Sequence, residues 1–400
     1  MNSALTAARA ILADLDSTRE KREQLYKEFH QMPELSMQET RTSARIRAEL
    51  EAAGIAVRAV GSTGLVAVIE NGDGPVVAFR ADIDALPMHE TSGKDYAATG
   101  STAHTCGHDF HLTSLLTACQ FFHTHREAWH GTFIGVFQPG EETAEGARDM
   151  VKQGISQAMP RPDVYLGQHV LGGFPAGQIG TRKGPVFSSA FSVRVEIFGK
   201  GSHGSMPELS VDPVVIAASI VTRLQTIVSR EVAASETAVV TVGAIHAGTK
   251  SNIIPDSAEL LINTRAYSAA VAEHLKEAIE RIVQAECAAA RAPQEPTFTY
   301  YDTYPLTDND GDTTDAVAKL FDAYFATDHV ELPRIPASED FSIIPTELGV
   351  PYTYWGVAGF RDWQNAPGNH NPAFAPDIQP TLDRSVEAIV VAACGWLGAK

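Results

Sequence analysis

The densest group of metal-binding side chains lies in the segment His104-Thr-Cys106-Gly-His108-Asp109-Phe-His111. Cys106 and His108 are two residues apart, so they cannot share one face of a helix and must converge from a loop. A thiolate and an imidazole are donors that suit zinc among the available divalent ions. The alternative is a buried thiol beside polar residues that cap a helix. The crowding of donors in one short segment favours a metal site.

A pair of acidic residues, Glu141 and Glu142, follows an apolar run that ends at Phe137. Adjacent residues in an irregular turn can point apart, so one carboxylate can ligate a metal while its neighbour faces a water molecule as general base. The alternative is a solvated acidic helix start, which the helix dipole favours. The position after a strand end shifts the interpretation towards the site.

Four further residues are candidates for the metal site only when they are considered together. His169 follows a short apolar strand, and His370 lies in a late loop with Gly, Asn and Pro. A lone histidine is more often a satisfied polar or core residue than a ligand. Asp82 and Asp84 also follow a strand, and an aspartate can orient a metal-binding histidine through the second ring nitrogen. Ordinary turn chemistry is the alternative for these two aspartates.

Composition excludes several classes of protein. The chain has 400 residues, and 31 Lys plus Arg against 49 Asp plus Glu give a net charge of −18, which repels nucleic acid and anionic membranes. Four widely spaced cysteines favour a reducing compartment, so we expect a cytoplasmic protein. The sequence shows neither an export signal nor an apolar run long enough to span a membrane.

Alternating patterns predict an α/β fold that positions these residues. Helices are predicted over 4–30 and 38–53, and the turn NGDG (71–74) predicts a hairpin between strands 64–70 and 75–80. The later predictions for this part of the chain are a helix over 109–124, a strand over 131–137, a helix over 143–153, a strand over 164–168, a helix over 312–326, a strand over 351–357 and a helix over 382–397.

The middle of the chain has a different pattern. Strand 189–197, helix 212–230, strands 236–245 and 258–265, helix 268–290 and strand 296–303 follow in the order βαββαβ. This order is typical of a complete ferredoxin-like unit, so we predict a domain inserted into another. The predicted boundaries assign residues 1–187 and 304–400 to the catalytic domain and residues 188–303 to the inserted domain.

These residues belong to a longer series of motifs. In order, they are RADIDALP (80–87), HTCGHDFH (104–111), QPGEE (138–142), GQH (167–169), SHGSMP (202–207), SNIIPD (251–256), NTRA (263–266), SEDF (338–341) and GNHNPAF (368–374). From His30 to the C-terminus, the sequence resembles the aminoacylase/carboxypeptidase superfamily of dinuclear zinc hydrolases. Within it, the amidohydrolase subgroup with hippurate hydrolase and indoleacetyl-amino-acid hydrolase is most similar. The stretches ASIVTRLQTIVSREV and APGNH further resemble bacterial N-acyl-glutamine aminoacylases.

The resemblance implies a zinc-peptidase-like α/β/α catalytic domain with the inserted domain as a lid and dimerisation domain. It implies five ligands for two ions, one of the five being a bridging cysteine: Cys106, His108, Glu142, His169 and His370. Glu141 corresponds to the family's general base and His203 to the lid histidine that stabilises the oxyanion. Asn252 and Arg265 correspond to positions that bind the substrate's amide and carboxylate.

The implied activity is hydrolysis of N-acyl-L-amino acids to a carboxylic acid and a free amino acid, with Glu141 as general base and acid. Zinc is the leading candidate for the metal, with manganese, cobalt and nickel as alternatives. The guanidinium of Arg265 offers the planar fork that grips a free carboxylate. A carboxypeptidase or dipeptidase on the same scaffold is the alternative, and a non-catalytic metal-binding protein is the alternative from a different class.

Two departures from the subgroup affect the expected pocket. An aromatic residue usually follows the strand-end histidine, whereas His169 is followed here by Val170. The last motif reads Asn-Pro-Ala-Phe after His370 and has no second histidine. We expect these changes to alter the shape of the pocket rather than catalysis.

Overall fold

Strands and helices alternate through most of the chain, and the computed structural model, which describes residues 1–398, confirms the predicted α/β class. Two compact units are present. Unit 1 contains Met1–Val186, Asp308–Arg334 and the chain from Asp340 onward, and unit 2 contains Phe187–Thr307 and Ile335–Glu339. Residues 399 and 400, which end the predicted catalytic domain, lie outside the described residues. No sequence pattern indicated the return of residues 335–339 to unit 2.

The first 187 residues supply six helices and seven strands. They are α1 (Asn2–Ile11), α2 (Arg19–His30), α3 (Thr40–Ala52), β1 (Val57–Ala59), β2 (Leu65–Asn71), β3 (Val76–Asp82), α4 (His108–Thr124), β4 (Gly131–Gln138), α5 (Gly146–Lys152), α6 (Ile155–Ala158), β5 (Val164–Pro175), β6 (Ile179–Thr181) and β7 (Gly184–Phe187).

The middle of the chain forms unit 2. Its elements are β8 (Ser189–Phe198), β9 (Ser202–His203), α7 (Pro213–Thr226), β10 (Ala238–Ala247), β11 (Ile253–Ile254), β12 (Ser257–Ala266), α8 (Ala269–Ala289) and β13 (Thr297–Tyr304). A π-helical turn over Ile227–Glu231 extends α7.

The chain then returns to unit 1. The remaining elements are β14 (Thr307–Asn309), α9 (Gly311–Phe325), β15 (His329–Glu331), α10 (Ile343–Leu348), β16 (Tyr352–Phe360) and α11 (Ile378–Leu397). The backbone of α11 is non-helical at Gln379 (φ −115°, ψ 137°), so its continuous part begins at Pro380, close to the predicted start at 382. Among the described residues, no helix is both long and apolar enough to cross a membrane.

Unit 1 is built on an eight-stranded mixed sheet in the order β1-β2-β4-β3-β5-β16-β6-β15. The central strands β4, β3, β5 and β16 run parallel to one another. Strand β4 is buried along its whole length, and α4 and α11 are buried on most of their surface. Such continuous burial is typical of parallel strands covered by helices. The carboxyl ends of these strands therefore meet at one edge, where loops carry the side chains of a site.

The predicted hairpin between β2 and β3 is wrong. Strand β4 lies between them and pairs antiparallel with β2 and parallel with β3. The turn instead holds the start of β4, because the Asn71 side chain donates to the Trp129 carbonyl at 2.7 Å and the Thr132 N–H donates to the Pro75 carbonyl at 2.8 Å. The residues NGDG do form a turn, as predicted. A local turn sequence does not indicate whether a later strand, here β4, lies between the two strands that the turn connects.

The predicted single helix over 4–30 is two helices, α1 and α2, separated by a series of turns over 12–18. The buried Arg22 explains the break, since its guanidinium donates to the Leu15 carbonyl at 2.5 Å and to the Asp383 carboxylate at 2.6 Å. A continuous helix would satisfy the Leu15 carbonyl internally and would not leave it for Arg22.

Unit 2 has its own core. Its four-stranded sheet has the order β10-β12-β8-β13, and all three pairings are antiparallel. The side chains that alternate along β8, including Val193, Val195 and Ile197, pack with Leu260, Leu275 and other residues of α7, α8 and β12. This order of strands around two helices is that of a ferredoxin-like fold.

A buried charged triad connects α2 to the start of α4. His30 donates from Nδ1 to Asp109 at 2.6 Å and from Nε2 to Glu90 at 3.1 Å, and all three side chains are at most 1% exposed. Burial lowers the pKa of His30, but the two carboxylates more than reverse this and raise the pKa to about 9. The imidazolium therefore stabilises unit 1 fully below about pH 6.5, and this stabilisation is lost as the pH rises through about 9.

Replacing His30 by Gln should lower the free energy of unfolding by about 3–5 kcal/mol near pH 6, because two carboxylates remain buried without their cation. This deficit should shrink by about 3 kcal/mol by pH 10. Urea unfolding followed by tryptophan fluorescence suits the test, since all four tryptophans lie in unit 1. The control is His89→Gln at an exposed position. A deficit that does not change with pH would contradict the charge assigned to His30.

Candidate metal centre

The predicted metal-binding residues meet beyond the carboxyl ends of β3 and β4. Helix α4 begins at His108, directly after the loop with Cys106, and a 3₁₀ turn over Glu141–Thr143 follows β4. His169 lies inside β5, which is longer than predicted, but the pairing of β5 with β3 stops at Gly167. His169 is therefore the second residue past the point where its neighbouring strand ends.

A loop that carries His370 closes the cluster. The His370 N–H donates to the Thr105 carbonyl at 2.8 Å, and His370 has a left-handed backbone with φ 66°. The Asn369 side chain donates to the carbonyls of Cys106 and Val170, each at 3.2 Å. Strained backbone that surrounding contacts hold in place is typical of functional sites. These bonds tie together the three segments that carry Cys106, His169 and His370.

Gly107 permits the close approach of two of these segments. Its φ is +87°, and a Cβ at this position would lie 2.2 Å from Cγ1 of Val170. Only glycine adopts this conformation without strain and leaves room for β5. The spacing of Cys106 and His108 across a glycine is therefore required by the packing beside His169.

The donor atoms form two sets that share Cys106. Ligand atoms of Cys106, Glu142 and His370 lie within 4.8 Å of one another, and His370 Nε2 is 3.1 Å from a Glu142 oxygen. On the other side, Cys106 Sγ is 3.6 Å from His169 Nε2. His108 and His169 are in a T-shaped arrangement with ring centroids 5.8 Å apart. The structure thus brings all five predicted ligands into one cluster.

Two buried donor atoms in this cluster are unsatisfied among the described residues. His108 Nδ1 donates to Asp84 at 3.0 Å, and Nε2 has no hydrogen-bond partner. Glu142 Oε1 also has no partner, and it is 3.9 Å from His108 Nε2. Buried polar atoms are nearly always paired, so such orphans need an explanation. Divalent cations bound at this cluster would satisfy both atoms.

The electrostatics of the cluster fit a cation as well. Burial raises the pKa of the Cys106 thiol, and the Glu142 carboxylate raises it further, whereas a bound cation would deprotonate the thiol. Burial keeps the pKa of His169 well below its usual value, so this imidazole stays neutral and able to ligate. Hydrogen bonds with Cys106 and Glu142 raise the pKa of His370 to about 10, since the surrounding negative potential favours any positive charge.

Asp82 and Asp84 hold other members of the site. Asp84 accepts from His108 Nδ1 and, through its other oxygen, from the Glu142 N–H at 3.0 Å. Burial raises the pKa of Asp84, but these donors produce a net lowering, so it remains a carboxylate. Asp82 accepts from His111 at 2.6 Å and from Arg80 at 2.6 Å. Asp84 thus bonds to a predicted ligand directly, whereas Asp82 bonds to His111 and lies 3.7 Å from His108 Nε2.

Glu141 lies beside the donor cluster. Its side chain is buried, and Oε2 is 3.9 Å from His108 Nε2. The adjacent Glu142 points its oxygens towards His108 and His370. The 3₁₀ turn therefore gives the two neighbouring carboxylates different surroundings, as the QPGEE motif predicts.

Three residues without a predicted role support the site. His111 donates to Asp82 and accepts from the Val170 N–H at 2.8 Å, so both ring nitrogens are engaged and neither is available to a metal. Arg80 also donates to Gln138 at 2.9 Å and to Asp340 at 2.8 Å. Glu39 accepts from the Gly140 N–H at 2.8 Å. His111 had a sequence signal because it is three residues from His108 on the same face of α4, and Arg80 had one because it opens the RADIDALP motif, whereas Glu39 had none.

The remaining predicted site residues lie in unit 2. His203 on β9 pairs with Ile253 on β11. Asn252 directly precedes Ile253, so His203 and Asn252 are neighbours. Arg265 lies near the far end of β12, opposite Ala190, whereas the end of the sheet nearer to His203 has the pair Ser257 and Phe198. Arg265 is eight positions along β12 from Ser257, which corresponds to a distance of roughly 26 Å. A single copy of unit 2 therefore does not bring Arg265 and His203 together.

Comparisons with known proteins agree with this architecture. Residues 78–392 match the model of peptidase family M20/M25/M40. The chain is 34% identical over 374 residues to N-acetylcysteine deacetylase of Bacillus subtilis, with 92% of each chain covered. It is 33% identical over 360 residues to thermostable carboxypeptidase 2 of Saccharolobus solfataricus, with 88% of this chain and 90% of the relative covered.

A solved structure gives the same result. The fold superposes on a dinuclear metal-binding M20 peptidase from Bacillus subtilis with a TM-score of 0.79 and 29% identity, covering 95% of this chain and 98% of the other. The resemblance drawn from the ordered motifs is therefore confirmed. With a family model that spans most of the chain and a relative aligned over nearly its whole length, the protein belongs to peptidase family M20/M25/M40 and is a hydrolase of that family.

Proposed function

We propose that this protein hydrolyses N-acyl-L-amino acids to a carboxylic acid and a free amino acid. The observation that carries the proposal is the pair of buried, unpartnered donors, His108 Nε2 and Glu142 Oε1, beside the carboxylate of Glu141. A metal site with a general base next to it is the minimal arrangement for hydrolysis of an amide by water.

Two divalent ions fit the donor set, with zinc as the leading candidate and manganese, cobalt and nickel as alternatives. Cys106 would contact both ions, His108 and His169 would hold one, and Glu142 and His370 would hold the other. When bound, such ions polarise the scissile carbonyl and lower the pKa of water from its high bulk value towards about 7. A mixture of thiolate, imidazole and carboxylate suits zinc better than magnesium or calcium.

Glu141 is the proposed proton carrier. Its buried carboxylate lies close to the donor cluster, and we assign the ligand position to the adjacent Glu142. Glu141 accepts a proton from the attacking water and then gives it to the departing nitrogen, which leaves as a free amine. An intact base beside the donor cluster argues against the alternative of a non-catalytic metal-binding protein.

The substrate class depends on what is recognised beyond the scissile amide. Arg265 is half-buried, and its Nη1 donates to the Asn263 side chain and to the Thr264 carbonyl, the latter at 2.8 Å. We assign the planar fork of this guanidinium to a free carboxylate of the substrate. The Bacillus relative is named N-acetylcysteine deacetylase, and N-acetylcysteine is an N-acyl-amino acid. The Saccharolobus relative is named a carboxypeptidase, which keeps peptide hydrolysis as the second candidate.

Completing the substrate site requires a second chain in this proposal. We assign His203 to the oxyanion and Asn252 to the substrate amide, and these two lie far along the sheet from Arg265. A homodimer through unit 2 would supply one of the two sets from the partner subunit. A mass of one chain by light scattering under assay conditions would contradict this.

The four cysteines are free and buried, which supports a reducing, cytoplasmic location.

Replacing Asp84 by Asn should weaken zinc affinity by about 10–100-fold, because the carboxylate no longer fixes the tautomer of His108. Competitive titration against a chromogenic chelator measures the affinity. Asp73→Asn, at an exposed turn position, is the matched control and should bind zinc like the wild type. Equal affinity in all three proteins would contradict the role of Asp84.

Replacing Glu141 by Gln should lower amino-acid release by about 10²–10⁴-fold, because the proton carrier is lost. Release is measured from N-acetyl, N-benzoyl and long-chain N-acyl amino acids and from dipeptides, with the metal content determined in parallel. The control Glu145→Gln changes an exposed residue a few positions along the chain.

The proposal requires release from the acyl amides that disappears in Glu141→Gln while the metal content stays at the wild-type level. Release chiefly from dipeptides would make the protein a peptidase instead. No release from any substrate by the metal-loaded wild type would favour the non-catalytic alternative.

A further inference from the structure

Unit 2 contains a pocket of its own, of about 470 Å³, between the first turns of α8 and the edge strand β13. Its walls are mainly apolar and include Phe191, Ala272, Tyr300 and Leu306. The volume falls in the range of about 300–1,000 Å³ that is usual for small-molecule sites. None of the residues predicted for catalysis or metal binding lines it.

An irregularity in β13 forms one side of the pocket. The pairing of β13 with β8 is regular from Thr297 to Tyr301 and then shifts before Tyr304. Between them, Asp302 has a left-handed backbone with φ 45°. Bulges of this kind re-aim side chains and are frequent beside binding sites. Here the bulge carries Thr303 and Tyr304, two residues that line the pocket.

The aromatic wall is held rigidly. The rings of Phe191 and Tyr300 meet edge to face with centroids 5.6 Å apart. The Tyr300 hydroxyl donates to the Glu280 carboxylate at 2.5 Å, which fixes the ring and engages that acidic group. A wall in place before a ligand arrives costs no ordering on binding, so it favours affinity.

Opposite charges lie at the polar side of the pocket. Glu273 and Lys276 are three residues apart on α8, and both line the pocket. Lys276 Nζ lies over the Tyr300 ring, 5.2 Å from its centroid. Among the described residues, neither Glu273 nor Lys276 forms an ion pair or a side-chain hydrogen bond. A carboxylate outside any ion pair and an ammonium held over the Tyr300 ring thus flank one apolar cavity.

We infer that this pocket binds a free apolar α-amino acid as its zwitterion. The ligand ammonium contacts Glu273, the ligand carboxylate contacts Lys276, and the side chain lies among Phe191, Ala272 and Leu306. A carboxylic acid or an amine alone would leave one of the two protein charges unused. A free amino acid is also the product of the proposed reaction, and that connection alone rests on the proposed function.

Calorimetric titration of the full-length, metal-loaded protein with L-leucine and L-phenylalanine tests the inference. Glu273→Gln and Lys276→Met should each weaken the binding of the amino acid to this pocket by about 10-fold or more, since each removes one charged contact. Glu277→Gln, an exposed neighbour outside the pocket, should bind like the wild type. Ala272→Trp, which fills the cavity, should abolish the same binding.

Two analogues test the zwitterion directly. Phenylpropanoate lacks the ammonium and phenethylamine lacks the carboxylate, so each should bind at least about 10-fold more weakly than L-phenylalanine. Equal binding of either analogue would overturn the assignment, as would the absence of saturable binding. Affinities unchanged in both charge variants would overturn it as well. Binding is read without turnover, so a failure of the proposed hydrolysis would leave this result intact.

Discussion

The structure of unit 1 depends on compensating several carboxylates buried around one point. Asp82, Asp84 and Glu141 are at most 5% exposed, and the side chain of Glu142 is 6% exposed. Removing such groups from water costs several kcal/mol each unless partners replace the lost hydration. Arg80 and His111 compensate Asp82, and His108 compensates Asp84. The inward-facing atoms Glu142 Oε1 and His108 Nε2 have no such partner among the described residues and remain available to bound cations.

The same constraint explains the supporting contacts. Arg80 connects the ends of β3 and β4 through Asp82 and Gln138, while Glu39 holds the turn before Glu141 through the Gly140 N–H. These bonds fix the directions in which the donors point, which tunes their affinity for a metal. Contacts within the protein thus orient the donors of the site.

The sequence predicted the donors well and their surroundings poorly. A metal-binding side chain that directly follows a strand, such as Glu141 after the strand ending at Phe137, is a local signal in the sequence. The structure brings the side chains of these motifs together. Arg80 bonds to Asp82 on its own strand, but its bonds to Gln138 and Asp340 join distant segments, as does the bond of Glu39 to Gly140. No spacing along the chain reveals these long-range contacts. The turn at 71–74 predicted a reversal but not the insertion of β4. The break between α1 and α2 likewise depends on Asp383, more than 360 residues away.

We propose that one cluster in unit 1 binds two ions that share Cys106. Anomalous diffraction at the zinc absorption edge, from crystals grown with zinc, tests this arrangement. We expect two peaks roughly 3.5–4 Å apart, with Cys106 between them, His108 and His169 beside one, and Glu142 and His370 beside the other. A single peak, or a pair of peaks away from Cys106, would rule out the shared cysteine.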